Sequence, residues 1–311
     1  MRSDRALCAK VRESCQRVVD RARLVRLDDH GLDRLSSIAA DELKPGHPPA
    51  VNFAEDATLL SLASNAINFG SGYHDLLRKD RGSSGARTIN ARLRSYVGAT
   101  GPLTPGRLGR ITAADCSQIF GQELDGGAVE ELMSYFATAL NDLGSFVVDA
   151  GGTARSVLDR CDNSAVALAE HLLDMPFYRD VEQHDGEAVA FYKRAQITPA
   201  DLARAGLWHF GDLSELTAFA DNLVPHVLRL DGAIQVDPAL VSSIESGVRL
   251  EPGSTPEVEL RAAAVVAVEG IVGRIDRSDI WPMHVDQWLW ERGAEARYKS
   301  VRRPRARTVF Y

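Results

Sequence analysis

Apolar residues recur along this chain at helical spacing, and that recurrence restricts it to a mainly α fold. In the first segment Leu7, Val11, Cys15, Val18 and Ala22 stand four, four, three and four residues apart, which makes one stripe of an amphipathic helix. Further helices are expected at about 28–43, over EDATLLSLASNAINF, over ARTINARLRSYV, and over 126–143 and 153–174, the last closed by Pro176. TPADLARAG predicts a short helix with Thr198 as its N-cap, proline in its first turn and Gly206 at its end. Asp212 is expected to cap the next helix, on which Leu213, Leu216, Phe219 and Ala220 share a face, and ADNLVPHVLRL continues the helical pattern. TPEVELRAAAVVAVEGIVGRI predicts a long helix and MHVDQWLWERG another. The exceptions are few and short, with GAIQVD and GVRLEP read as strands.

Several classes are disfavoured. The run AAAVVAV at 262–268 stops at Glu269, far short of a membrane span. The N-terminal stretch is charged throughout, without the apolar centre of a secretory signal, so a cytoplasmic protein is expected. Cys8, Cys15, Cys116 and Cys161 form no C-x-x-C pair and have no histidines at zinc-ligand spacing, which predicts reduced structural thiols and no metal or other cofactor. Residues 1–26 carry eight basic side chains against three acidic, and residues 291–311 carry seven against two. Each end is therefore +5, and with a total of −7 the middle carries −17. A polyanion favours a continuous basic face, because its affinity comes from neutralised phosphates and released counterions. The distribution points away from nucleic acid and leaves room for one small anionic ligand near a terminus. No Rossmann fingerprint or phosphate loop is present, GSSGAR lacking both the lysine and a preceding strand.

Several exact strings carry more. VNF and NAINFGSGY near the N-terminus, FYKRAQI at 191–197, LTAFADNLVP at 216–225, EVELRAAAVVAVE at 257–269, VDQWLW at 285–290 and the terminal RTVFY resemble the queuosine salvage protein family, in the same order from end to end. That resemblance implies hydrolysis of the N-glycosidic bond of queuosine 5′-phosphate, with release of the base queuine. It also implies a helical fold similar to the helix-hairpin-helix DNA glycosylases, in which a lysine and an aspartate flank the nucleoside. One domain is expected over residues 1–311, arranged as two helical lobes of about 1–180 and 181–311 with the site between them.

On this resemblance FYKRAQ supplies Lys193 and FADN supplies Asp221, twenty-eight residues apart. Cleavage passes through an oxocarbenium-like sugar, so a fixed carboxylate under C1′ stabilises the developing charge and orients the attacking water. Asp221 is the candidate for that role, against the alternative of a turn residue bonded to local backbone before Pro225. Lys193 is the candidate to balance that carboxylate or hold a ribose or phosphate oxygen, against a solvated surface lysine. Asp286 is read either as an acceptor for the guanine-like edge of the base or as a solvent-facing helix residue. Phe53 and Phe219 are candidates to stack on the base, against ordinary core packing, and Trp290 is a further binding candidate. His47 and Asn68 match family positions, against ordinary loop polarity. Glu259 reads as a helix-surface partner of Arg261 or of its neighbours. The tail RRPRARTVFY is either solvated or, through Arg307 and Tyr311, the holder of a 5′-phosphate. The other readings carried forward are a glycosylase of another nucleotide or nucleic acid, and a non-enzymatic helical binding protein.

Overall fold

The computed structural model describes residues 6–45 and 49–311. The chain is mainly helical, with four short strands among the described residues. It forms two compact units, each assembled from separated segments: 1–47, 180–196 and 212–306 make the first, and 48–179, 197–211 and 307–311 the second.

The first unit is organised on the helix Thr255–Val272. Val258, Leu260, Ala262, Ala264, Val265, Val268 and Ile271 are all buried, together with Glu257, Glu259 and Arg261. A helix that is apolar on every side is stable only when other elements cover every side. Here the helices Ala6–Arg21, Asp29–Glu42, Val224–Leu230 and Pro282–Arg292 pack around it. Asp28 caps Asp29–Glu42, its carboxylate accepting from Gly31 N at 2.8 Å. The strand Val25–Leu27 pairs antiparallel with Ile234–Val236, Val25 opposite Val236, so the GAIQVD expectation holds at its centre. Val181–His184 and Glu187–Ala190 form a hairpin that the sequence reading lacked. Its turn residues Asp185 and Gly186 have φ of 48° and 80°, the left-handed pair that Asp-Gly adopts most readily.

In the second unit the helix Ala128–Ala150 is the centre. Phe136 lies 5.2 Å from Phe69 and 5.3 Å from Phe120, both edge-on. Gly144 lets the turn after Pro105–Leu108 approach, since a Cβ there would stand 2.6 Å from Gly109 N and 2.7 Å from Pro105 O.

Four expectations need correction. The stretch after Asp212 is only a short 3₁₀ turn, Leu213–Glu215, followed by irregular backbone over 216–221. The helix expected from Thr198 begins at Lys193 and runs to Arg204 with Pro199 inside it, so Thr198 is a buried helical residue and not a cap. The helix expected over 153–174 is two, Ala154–Asp159 and Ala165–Leu172, because Asp162 and Asn163 both take positive φ and a right-handed helix cannot continue through them. GVRLEP forms no strand; its Leu250 N–H donates once, to Arg305 O at 2.8 Å.

The four cysteines are free and buried, and burial pushes the thiols of Cys8, Cys116 and Cys161 up to about 12. Among the described residues no cluster of three or more His, Cys, Asp or Glu could hold a metal ion, and no helix is long and apolar enough to cross a membrane.

Candidate active site

The segment 216–222 is non-helical because side chains from distant elements take up its backbone groups. Thr217 N–H donates to Gln196 Oε1 at 2.9 Å, and Gln196 Nε2 donates back to Thr217 Oγ1 at 2.9 Å. Phe219 N–H donates to Asp286 Oδ1 at 2.9 Å. Ala220 O accepts from Arg261 Nε at 3.1 Å, and Asn222 Nδ2 donates to Pro304 O at 2.9 Å. These partners come from the Lys193 helix, the tryptophan-bearing helix, the central helix and the C-terminal stretch. Together they fix the backbone on both sides of Asp221.

Asp221 itself is half-buried. Its Oδ1 accepts from Leu223 N at 2.7 Å and Val224 N at 3.0 Å, so the local turn before Pro225 is real. That turn occupies only one carboxylate oxygen. Oδ2 makes no hydrogen bond among the described residues, which leaves an oriented, charged acceptor with a free lone-pair edge.

Lys193 is only 6% exposed, which removes the reading of a solvated surface lysine. It follows Tyr192, whose φ of 50° is uncommon for a side-chain-bearing residue. The carbonyl of Asp180 accepts from Phe191 N and Tyr192 N at 2.9 and 3.2 Å, and its Oδ2 accepts from Lys193 N at 3.2 Å. The same Oδ2 takes the Arg261 guanidinium at 2.6 Å. Arg261 lies 3.9 Å above the Phe191 ring and also reaches Glu257 at 3.4 Å. A single buried ion pair therefore joins the backbone of Lys193 to the backbone just before Asp221.

Asp286 is buried, not solvent-facing, and one oxygen supports Phe219 N–H. Phe219 is 2% exposed and packs as core. Glu259 is also no surface residue: fully buried, it accepts from Arg23 N at 3.1 Å and Leu24 N at 2.8 Å. Trp290 is 37% exposed on its helix. In the second unit Phe53 is half-buried, edge-on to Trp208 at 5.8 Å, with the Arg155 guanidinium 5.2 Å from its ring. Asn68 is half-buried just after the helix Glu55–Ala66. Tyr311 is buried and its carbonyl accepts from Gly70 N at 2.9 Å, while Arg307 stands 5.3 Å from the Tyr73 ring. The end of the tail is thus packed, while Arg302 at its start is exposed. His47 lies outside the described residues.

Two surface grooves contain none of these residues. One, of about 550 Å³, runs between Arg12, Gln16 and Arg17 on one helix and Val265 and Glu269 on the other. The second lies along Arg92, Tyr96 and Asp115. In the larger groove Arg12 and Glu269 pair with each other at 2.9 Å, so its main charges are already matched.

Sequence reasoning missed Asp180, Glu182 and the buried state of Arg261. One signal was available, since an arginine within an apolar run on a helix buried all round must bring a partner inside with it. Glu182 is half-buried beside Glu257 and Asp180, and burial first, then the Glu257 charge, pushes its carboxyl up to about 7. A raised carboxyl pKa means the folded state holds a proton that the unfolded state has lost. Stability from this group is full below about 4.5 and falls as pH rises through about 7. Glu182→Gln should therefore raise the melting temperature more at pH 8 than at pH 5, by about 1 kcal/mol of stability after allowance for solvent screening. An equal gain at both pH values in thermal melts would remove Glu182 as the titrating group.

The family model described as queuosine salvage protein matches residues 78–311, about three quarters of the chain. A relative from Sphaerobacter thermophilus, named queuosine 5′-phosphate N-glycosylase/hydrolase, is 36% identical over 68% of this chain and 67% of its own length. Relatives of the same name from Dictyostelium discoideum and Bos taurus are 30% and 32% identical, over 65% and 55% of this chain and 64% and 56% of theirs. The matched region thus spans between about half and two thirds of these curated relatives.

Proposed function

The chain belongs to the queuosine salvage protein family, and we propose that it hydrolyses the N-glycosidic bond of queuosine 5′-phosphate. The products are queuine, which returns to tRNA modification, and ribose 5-phosphate. The observation that carries the reading is the Asp221 carboxylate, anchored through Oδ1 by two backbone N–H groups and open at Oδ2 among the described residues.

In this reaction the bond from C1′ to the base nitrogen breaks with its electron pair leaving on the base. A water oxygen adds to C1′ and keeps one of its protons as the new hydroxyl, and the other proton ends on the base nitrogen. The free Asp221 oxygen stabilises the positive sugar and orients the incoming water. Because Oδ1 is already fixed, no reorganisation is needed as charge develops. Queuine is a 7-deazapurine without an N7 to protonate, so hydrogen bonds elsewhere on the base steady the leaving group. Asp286 is assigned to that edge, with Phe219, Phe53 and Trp290 forming apolar surroundings and Asn68 and His47 further polar contacts. Lys193 balances the Asp221 carboxylate, and the C-terminal stretch that includes Arg307 and Tyr311 meets the phosphate. The fold relation to helix-hairpin-helix DNA glycosylases belongs to the same reading, as does a single domain over residues 1–311. The −17 charge of the middle of the chain favours a free nucleotide over a nucleic acid.

The test is direct. Purified protein incubated with queuosine 5′-phosphate should release queuine, detected by chromatography and mass, in proportion to enzyme. No release from either the nucleotide or queuosine would sink the assignment.

A further inference from the structure

The stretch that leads into Asp221 is spaced as a helix, yet it leaves helical geometry after the turn Leu213–Glu215. In a continued helix Phe219 N–H would donate to Glu215 O, four residues back. That bond is replaced, and each of its halves is taken by a side chain from elsewhere. The donor, Phe219 N–H, goes to Asp286 Oδ1 at 2.9 Å. The acceptor, Glu215 O, goes to Arg12, whose Nη2 donates to it at 2.9 Å and reaches Leu216 O at 3.5 Å. Arg12 stands on the helix Ala6–Arg21, 203 residues away in sequence. Its Nε donates to Glu269 Oε1 at 2.9 Å, so a carboxylate on the central helix aims the guanidinium at the two carbonyls. One turn earlier on the same helix, Cys8 Sγ lies 3.7 Å from Gln196 Oε1, the acceptor of Thr217 N–H.

A guanidinium suits this place because its planar fork can serve a carboxylate and a backbone carbonyl at once. A cation is also favoured against the carbonyls that close a helical turn. Without it Glu215 O is free to recapture Phe219 N–H, and the apolar spacing of Leu213, Leu216, Phe219 and Ala220 favours that helical path. Asp221 lies two residues beyond Phe219, so winding of this stretch rotates its carboxylate. We propose that Arg12 is a positioning residue of the active site: in concert with Asp286 it holds 215–221 out of helix and so keeps the Asp221 carboxylate in place. It acts through the backbone and not by touching substrate. The inference rests on the N-glycosidase reading above in treating Asp221 as catalytic, while the clamp itself stands on geometry.

The experiment compares wild type, Arg12→Met and Arg12→Lys in two measurements. One is kcat and KM for queuosine 5′-phosphate; the other is amide hydrogen exchange, read by mass spectrometry, in peptides covering 213–223 and 255–272. Methionine keeps the apolar stem and removes the fork, and Glu269, its side chain 28% exposed, can turn to water. In Arg12→Met kcat should fall about tenfold or more with a smaller change in KM. Exchange in 213–223 should quicken about tenfold or more while the central helix 255–272 keeps its protection. Arg12→Lys retains one donor group and cannot serve Glu269 and Glu215 O together, so it should fall between, and it carries the test if the methionine variant does not fold. A folded variant with kcat near wild type overturns the proposal, and so does unchanged exchange in 213–223. Protection lost equally in both peptides, with kcat per folded molecule unchanged, also overturns it, since Arg12 would then support the fold as a whole. If wild type releases no queuine but exchange in 213–223 responds to Arg12→Met as expected, the N-glycosidase reading fails while the clamp stands.

Discussion

Asp221→Asn should lower turnover of queuosine 5′-phosphate on the order of 100-fold or more while leaving the protein folded. The geometry separates the two effects. Asparagine keeps a carbonyl oxygen that can accept from Leu223 N and Val224 N, as Asp221 Oδ1 does, so the turn into the helix Val224–Leu230 persists. What disappears is the negative charge on the other oxygen, which would be replaced by an amide that donates toward a developing cation. The melting temperature should therefore shift little, while kcat falls and KM changes less. A folded Asp221→Asn enzyme with turnover near wild type would remove Asp221 from the mechanism.

The second large effect concerns stability. Arg261→Met should destabilise the protein by about 3–5 kcal/mol, because it leaves the Asp180 carboxylate buried without its guanidinium. Both side chains are only 2% exposed, so water cannot replace the lost partner. The change also deletes the donor to Ala220 O at 3.1 Å, and queuine release should fall with it as the backbone before Asp221 loosens. Adding Asp180→Asn should restore part of the stability, since an amide costs far less to bury than an unpaired charge. Urea unfolding of the two single variants and the double variant measures this coupling. A loss below about 1 kcal/mol in Arg261→Met, or strict additivity in the double variant, would show that the pair is not the clamp described here.

Local spacing was enough to specify the helices Ala6–Arg21, Asp29–Glu42, Thr255–Val272 and Pro282–Arg292, because each carries its apolar stripe, or an apolar run too long for a strand, within its own residues. The ordered strings from VNF to RTVFY likewise identified the family and pointed to Lys193 and Asp221. The path of 216–221 was decided only by the tertiary structure. Its apolar spacing reads as helix, but its amides and carbonyl are taken by Gln196, Asp286 and Arg261, 21, 67 and 41 residues away in sequence. Helical periodicity reports which side chains seek the core, and backbone groups claimed from such distances leave no trace in it. The same reason hid the burial of Arg261 and Glu259, whose partners Asp180 and the Arg23 and Leu24 amides lie on other segments.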